Sequence, residues 1–395
     1  MERAFSPDSS PAAKTLLGPG PSNVHPRVYR AMVSPVLSHM DPDLWQIMDD
    51  TVDLLRQVFQ TRNAVTLPVS GTGSAGMEAA IYNSLEPGDT IIVGAAGFFG
   101  ARIAEIAQRC DAKVVTLEAE WGQVIQPEMV EGELKRHPKA KVVALVHCET
   151  STGTLQPLEE IGRLARQHGA LFLVDTVASL GGHEVAVDGW GIDVCYSGSQ
   201  KCLSCPPGLA PITLSDRAGQ ALKSRKQKPR SWYLDLSMLD EYWISARKYH
   251  HTAPASMIYA LRESLRIVVE EGLENSCARH HLNGSALRAG MDAMGLALVA
   301  SEEYRSDTVH AVLMPEGIDA DGVRKMLLND YKIETGGGLG PFKGRAIRIG
   351  LMGYSSQASN VLAVLSALER ILLKQGYEVP ISAGVSAANR VYTEA

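Results

Sequence analysis

Seven short apolar runs separated by helix-forming stretches constrain this chain more than any other feature. The runs are AVTLPVS (64–70), TIIVGA (90–95), KVVTLE (113–118), KVVALVH (141–147), ALFLVD (170–175), DVCYSG (193–198) and LAPITLS (209–215). They are rich in Val, Ile and Leu, as strands buried on both faces require. Helical patterns lie between most of them. PLEEIGRLARQHG (157–169) starts with Pro, carries acids in its first turn, sets Leu158, Ile161, Leu164 and Ala165 on one face and stops at Gly169. Strand and helix repeated in this way, with right-handed crossovers, predict an α/β fold around a mostly parallel seven-stranded sheet.

Beyond residue 250 the pattern changes. HTAPASMIYALRESLRIVVEEG (251–272) predicts a helix with Pro254 early, an apolar face from Met257 to Val269 and Gly272 as its stop. It leads into a smaller α+β unit with strand candidates TVHAVLM (308–314) and RAIRIGL (345–351). The expected organisation is an N-terminal arm over 1–22, rich in Ser, Pro and Ala, a large domain over 23–271, a small C-terminal domain over 272–378 and a tail over 379–395. A chain of 395 residues with a net charge of -6 offers no basic stripe for nucleic acid, and it holds no apolar run of membrane-spanning length. Its six cysteines are sparse and lie mostly in strand-like runs, so they read as reduced thiols of a cytoplasmic protein. Cys202 and Cys205 spell CxxC, but no second pair or His cluster accompanies them, and no metal site is expected.

Three segments carry chemistry. VSGTGSAGMEAAI (69–81) is a strand, a small-residue turn and a helix start, a geometry that aims backbone N–H groups of Thr72, Gly73 and Ser74 at an anion. Gly71, Gly73 and Gly76 also spell GxGxxG, yet a dinucleotide site needs an acid at the end of the next strand, and TIIVGAAG supplies none. LFLVDTVASLGG puts Asp175 at the C-terminal end of a strand, where α/β ligands bind. YSGSQKCLSCPPG (196–208) surrounds Lys201 with turn residues. Singly, each has an ordinary reading: a capped turn, a helix-capping aspartate, a solvated lysine. Together they match the needs of pyridoxal phosphate, which requires an anion site, an acid for its protonated ring nitrogen and an amine for its aldehyde.

The segments LLGPGPSN, VFQTRN, SGTGSAGMEAA, ETSTGTLQPL, VDTVASLGG, YSGSQKCLSCPPG, YHHTAP, EEGLEN and GGGLGPFKGRAIRIGLMG follow one another over about residues 16–375. In this order they resemble the class V, fold-type I aminotransferases, and within them the alanine–glyoxylate and serine–pyruvate group. The resemblance implies a fold-type I pyridoxal 5'-phosphate transferase. In it Lys201 bonds the aldehyde, Asp175 meets the ring nitrogen, Val177 packs on the ring, and Thr72, Gly73, Ser74 and Gln200 hold the phosphate. Phe99 falls where some relatives stack a tryptophan, and Thr150 lies by the cofactor hydroxyl and the substrate. Tyr249 and Thr252 reach the phosphate of a neighbouring subunit, which implies a homodimer with shared sites. Arg348 and Gly20 belong to the substrate pocket, Arg348 gripping the carboxylate with its planar fork. The implied reaction moves an amino group from a small amino acid to a 2-oxo acid, glyoxylate, in ping-pong fashion. The ureidoglycine–glyoxylate branch is also similar, but it leads one to expect Asn before HHT and Gln within LSHMD, where this chain has Tyr249 and His39. The residues also leave room for a lyase of the same fold, a nicotinamide-dependent oxidoreductase or a catalytically silent scaffold.

Overall fold

The seven apolar runs form one sheet. Its strands are β1 (Val65–Ser70), β2 (Thr90–Ala95), β3 (Lys113–Glu118), β4 (Ala140–Val146), β5 (Leu171–Asp175), β6 (Val194–Tyr196) and β7 (Leu209–Leu214). Their spatial order is β1-β7-β6-β5-β4-β2-β3. All neighbours are parallel except β7, which runs antiparallel to β1 and β6. Antiparallel strands need no crossover helix. The chain from β6 to β7 therefore stays as a loop at the C-terminal edge of the sheet, and that loop contains Lys201.

The structure, a computed structural model, describes residues 12–395; the first half of the expected arm lies outside the described residues. Every residue of β5 is buried, as a central strand covered on both faces requires. Helices α1 (Gly73–Ser84) and α2 (Phe98–Arg109) follow β1 and β2. The helix Glu159–His168 ends on left-handed Gly169 with φ 86, and Ala255–Glu271 stops at Gly272, so both predicted stops act as stops.

A second core lies beyond residue 272. Strands β8 (Val309–Leu313), β9 (Gly336–Gly337) and β10 (Ala346–Gly350) form an antiparallel sheet in the order β8-β10-β9. The helices α3 (Leu273–Ala293), Ala320–Tyr331 and Ala358–Lys374 accompany it. The segment expected as a tail is instead helix α4 (Ala383–Glu394). It packs on α3 at a close approach, where a Cβ on Gly290 would lie 3.0 Å from the Gly384 carbonyl. Tyr392 Oη also donates to Asn283 Oδ1 over 2.8 Å. Its buried positions are Gly384, Ala387 and Ala388, residues too small to write an apolar stripe into the sequence.

The described part of the arm crosses between the two cores. Thr15–Leu16 pairs in parallel with Ile333–Glu334, and Leu17 is fully buried in the small-domain core. Among the described residues no helix is long and apolar enough to cross a membrane.

Candidate active site

The parallel crossovers bring the C-terminal ends of β1, β4, β5 and β6 to one edge, where such sheets bind ligands. Asp175 closes β5 there and is 3% exposed. Its Oδ1 accepts from the Val177 amide over 2.8 Å and its Oδ2 from the Tyr196 hydroxyl over 2.7 Å. Burial pushes its carboxyl up to about 6, against the pull of these two donors.

Lys201 is partly buried rather than freely solvated. Burial pushes its amine down to about 8, and the amine donates to the Pro19 carbonyl. Gly20 lies against it with φ +104, and a Cβ there would collide with the lysine side chain. The loop that aims the amine is tied at several points. The Ser22 amide donates to the Gln200 carbonyl over 2.9 Å. The Ser22 hydroxyl donates to the Lys201 carbonyl over 2.8 Å, and the Ser199 hydroxyl to the Pro206 carbonyl over 2.7 Å.

Helix α1 begins at the same edge. Thr72 is its N-cap and makes no side-chain capping bond, so the first N–H groups remain for an outside acceptor. A Cβ on Gly73 would come within 3.2 Å of Val177; the glycine lets this turn close on the strand-end segment. Gln200 Oε1 is buried without a partner. Turning the amide over would present its N–H groups as donors to an anion instead.

Thr72, Gly73, Ser74, Phe99, Thr150, Asp175, Val177, Gln200 and Lys201 line one cavity of about 210 Å³. Arg348, on β10, does not line this cavity but reaches its rim: its Nε donates to the Gly337 carbonyl over 2.6 Å and an Nη to the Thr150 carbonyl over 3.0 Å. Burial lowers its guanidinium to about 10. Tyr249 and Thr252 do not join the cavity; they are exposed, Tyr249 by 55%. Cys202 and Cys205 are buried free thiols, and burial raises both well above the usual thiol range.

Sequence reasoning missed four residues. Tyr196 stands beside Asp175 only because of strand register. Ser22 reaches the lysine loop from 179 positions away. Arg102 lines the cavity with its guanidinium carbon 4.9 Å from the Phe99 ring centroid; its place one turn after Phe98 and Phe99 was the signal that could have found it. Glu149, fully buried, accepts from the amides of Phe99 (2.9 Å), Gly100 (3.3 Å) and Ser151 (3.0 Å) and from the Ser151 hydroxyl (2.6 Å). Burial raises its carboxyl while those donors hold it down.

An amine that burial makes easier to deprotonate, a carboxylate on the same small cavity and an uncapped helix start for an anion fit pyridoxal 5'-phosphate, and on this sheet they define an enzyme of fold-type I that uses it. Known proteins agree. The family described as Aminotransferase class-V matches residues 23–359. A crystal structure of ureidoglycine–glyoxylate aminotransferase from Bacillus subtilis superposes with a TM-score of 0.95 at 44% identity, covering 98% of this chain and 100% of that one. Alanine–glyoxylate aminotransferase from Nostoc sp. gives a TM-score of 0.91 at 46% identity over 94% and 98% of the two chains. Alanine–glyoxylate aminotransferase of Rattus norvegicus is 42% identical over 93% of this chain and 90% of its own. The chain belongs to the class V aminotransferases.

Proposed function

We propose that this aminotransferase moves the amino group of a small amino acid, alanine or serine, to glyoxylate by a ping-pong cycle, as a cytoplasmic homodimer. The observation that carries the reading is that the Lys201 amine, partly buried and lowered to about 8, lines one cavity with Asp175. When bound, the cofactor supplies an electron-accepting ring that makes the substrate's α-proton removable. Lys201, whose amine lines the same cavity, would take that proton and hand it on as general base and acid. Asp175 holds a proton on the ring nitrogen. Thr72, Gly73, Ser74 and Gln200 hold the phosphate, while Val177 and Phe99 cover the ring faces. Thr150 sits by the substrate, whose carboxylate meets Arg348, and Gly20, which has no side chain to collide with the amine, borders the substrate. Because Arg348 comes from the small domain, substrate capture would draw the small domain (272–378) toward the large one (23–271).

Tyr249 and Thr252 are assigned to the phosphate of the partner copy. Tyr29, Val33, Val36, Trp232 and Tyr249 are large exposed apolar residues, and such exposure suits a face covered by a second chain. The sparse reduced thiols suit the cytoplasm. The likeness to the Bacillus subtilis protein favours a second reading, in which ureidoglycine is the donor. The paired rings of His39 and Tyr249, 4.9 Å apart, fill the positions where that branch leads one to expect Gln and Asn. A screen of alanine, serine and ureidoglycine against glyoxylate and pyruvate is expected to rank alanine or serine with glyoxylate first. Fastest turnover with ureidoglycine would assign the chain to the second reading. Lys201→Ala is expected to remove both turnover and the borohydride-sensitive visible absorbance.

A further inference from the structure

Tyr196 is the one tyrosine in the seven strands of the large sheet, whose buried side chains are mostly aliphatic. It pairs with Asp175 in the register of β5 and β6, so the two side chains leave the same face of the sheet. Its ring is 0% exposed, and a buried phenol needs an acceptor for its proton. The acceptor is Asp175 Oδ2 at 2.7 Å. Helix α1 leaves room for the arrangement at Gly76, where a Cβ would fall 2.9 Å from the Ala210 Cβ and 3.5 Å from that of Tyr196.

Asp175 depends on few groups to stay charged. The Val177 amide and the Tyr196 hydroxyl are its hydrogen-bond donors among the described residues. The surrounding charges are Lys201, which favours ionisation, and Glu149, which opposes it. Arg102 and Cys195 face Tyr196 itself. The assignment of Asp175 to the ring nitrogen, made above, is the reading on which the next step rests. We propose that Tyr196 is a positioning residue of the reaction: its hydroxyl holds Asp175 as an ionised acceptor aimed at the ring nitrogen, so that the proton between them stays on nitrogen. Deleting the hydroxyl makes the carboxylate the stronger base. The shared proton then moves from ring nitrogen to Asp175 oxygen, with no net gain or loss of protons. The ring accepts electrons less well, and removal of the α-proton slows.

The test uses the holoenzyme carrying cofactor labelled with 15N in the ring. In the wild-type protein the ring resonance is expected at the protonated position; in Tyr196→Phe it moves toward unprotonated pyridine. kcat falls roughly tenfold, as loss of one hydrogen bond to a charged group gives, while KM holds within about twofold. In the cofactor-free protein, infrared titration of the Asp175 carboxyl gives a higher midpoint for Tyr196→Phe. Tyr196→3-fluorotyrosine, a stronger donor with the same ring, moves that midpoint downward and decides the matter if the Phe variant fails to fold. An unchanged ring resonance and unchanged kcat in Tyr196→Phe, or an unmoved midpoint in the fluorinated variant, would overturn the role of Tyr196. An unprotonated ring nitrogen in the wild-type protein would overturn the Asp175 assignment instead.

Discussion

Lys201 is a cation held where cations are disfavoured, and this has consequences for stability as well as chemistry. Its amine falls from 10.5 to about 8 on burial. Below pH 8 it is charged in folded and unfolded chains alike, so the folded state carries the whole desolvation penalty. Between pH 8 and 10.5 the folded amine has lost its proton and the unfolded one has not; the penalty fades as pH rises. Lys201→Met is therefore expected to stabilise the cofactor-free protein by about 3 kcal/mol at pH 7, and by nearly nothing at pH 11. Thermal unfolding at the two pH values measures this. That Lys201 and Asp175 would meet at one edge of the sheet was legible, because a strand end and a turn-rich loop announce themselves in one dimension. Tyr196 and Ser22 were not, since their roles arise from strand register and from a contact across 179 positions.

At the scale of elements, the helix α2 is positioned by a carboxylate that belongs to another segment. Glu149 takes two amides from the first turn of α2 and two donors from Ser151, so it fixes where Phe99 stands relative to Thr150. A negative charge there also suits the positive end of the helix. Glu149→Gln turns N–H groups toward N–H groups and leaves buried donors unmatched. We expect a loss of about 2 kcal/mol in denaturant unfolding and weaker cofactor retention in equilibrium dialysis. The strands and the helix stops at Gly169 and Gly272 were readable from apolar runs and glycines. Helix α4 was not, because its contact with α3 is built from glycine and alanine, which leave no hydrophobic period.

At the scale of the whole molecule, the exposed Tyr249 and Thr252 leave the site of one copy short of the residues assigned to it. If two copies complete each other, variants damaged on opposite sides are repairable. Lys201→Ala and a Tyr249→Ala, Thr252→Ala double variant, each inactive alone, are expected to recover roughly a quarter of wild-type activity when mixed and reassembled, since half the dimers are hybrids with one intact site. No recovery would place both residues in their own chain's site. The strap from Thr15 to Ser22 has a different consequence, one of timing. Leu17 docks beside Ile333–Glu334 and accepts from the Gly350 amide, so its resting place is translated roughly 300 residues after it leaves the ribosome. Until then the strap is tied over the lysine loop at one end only, by Ser22. A nascent chain thus acquires a roofed reaction chamber only near the end of its own synthesis.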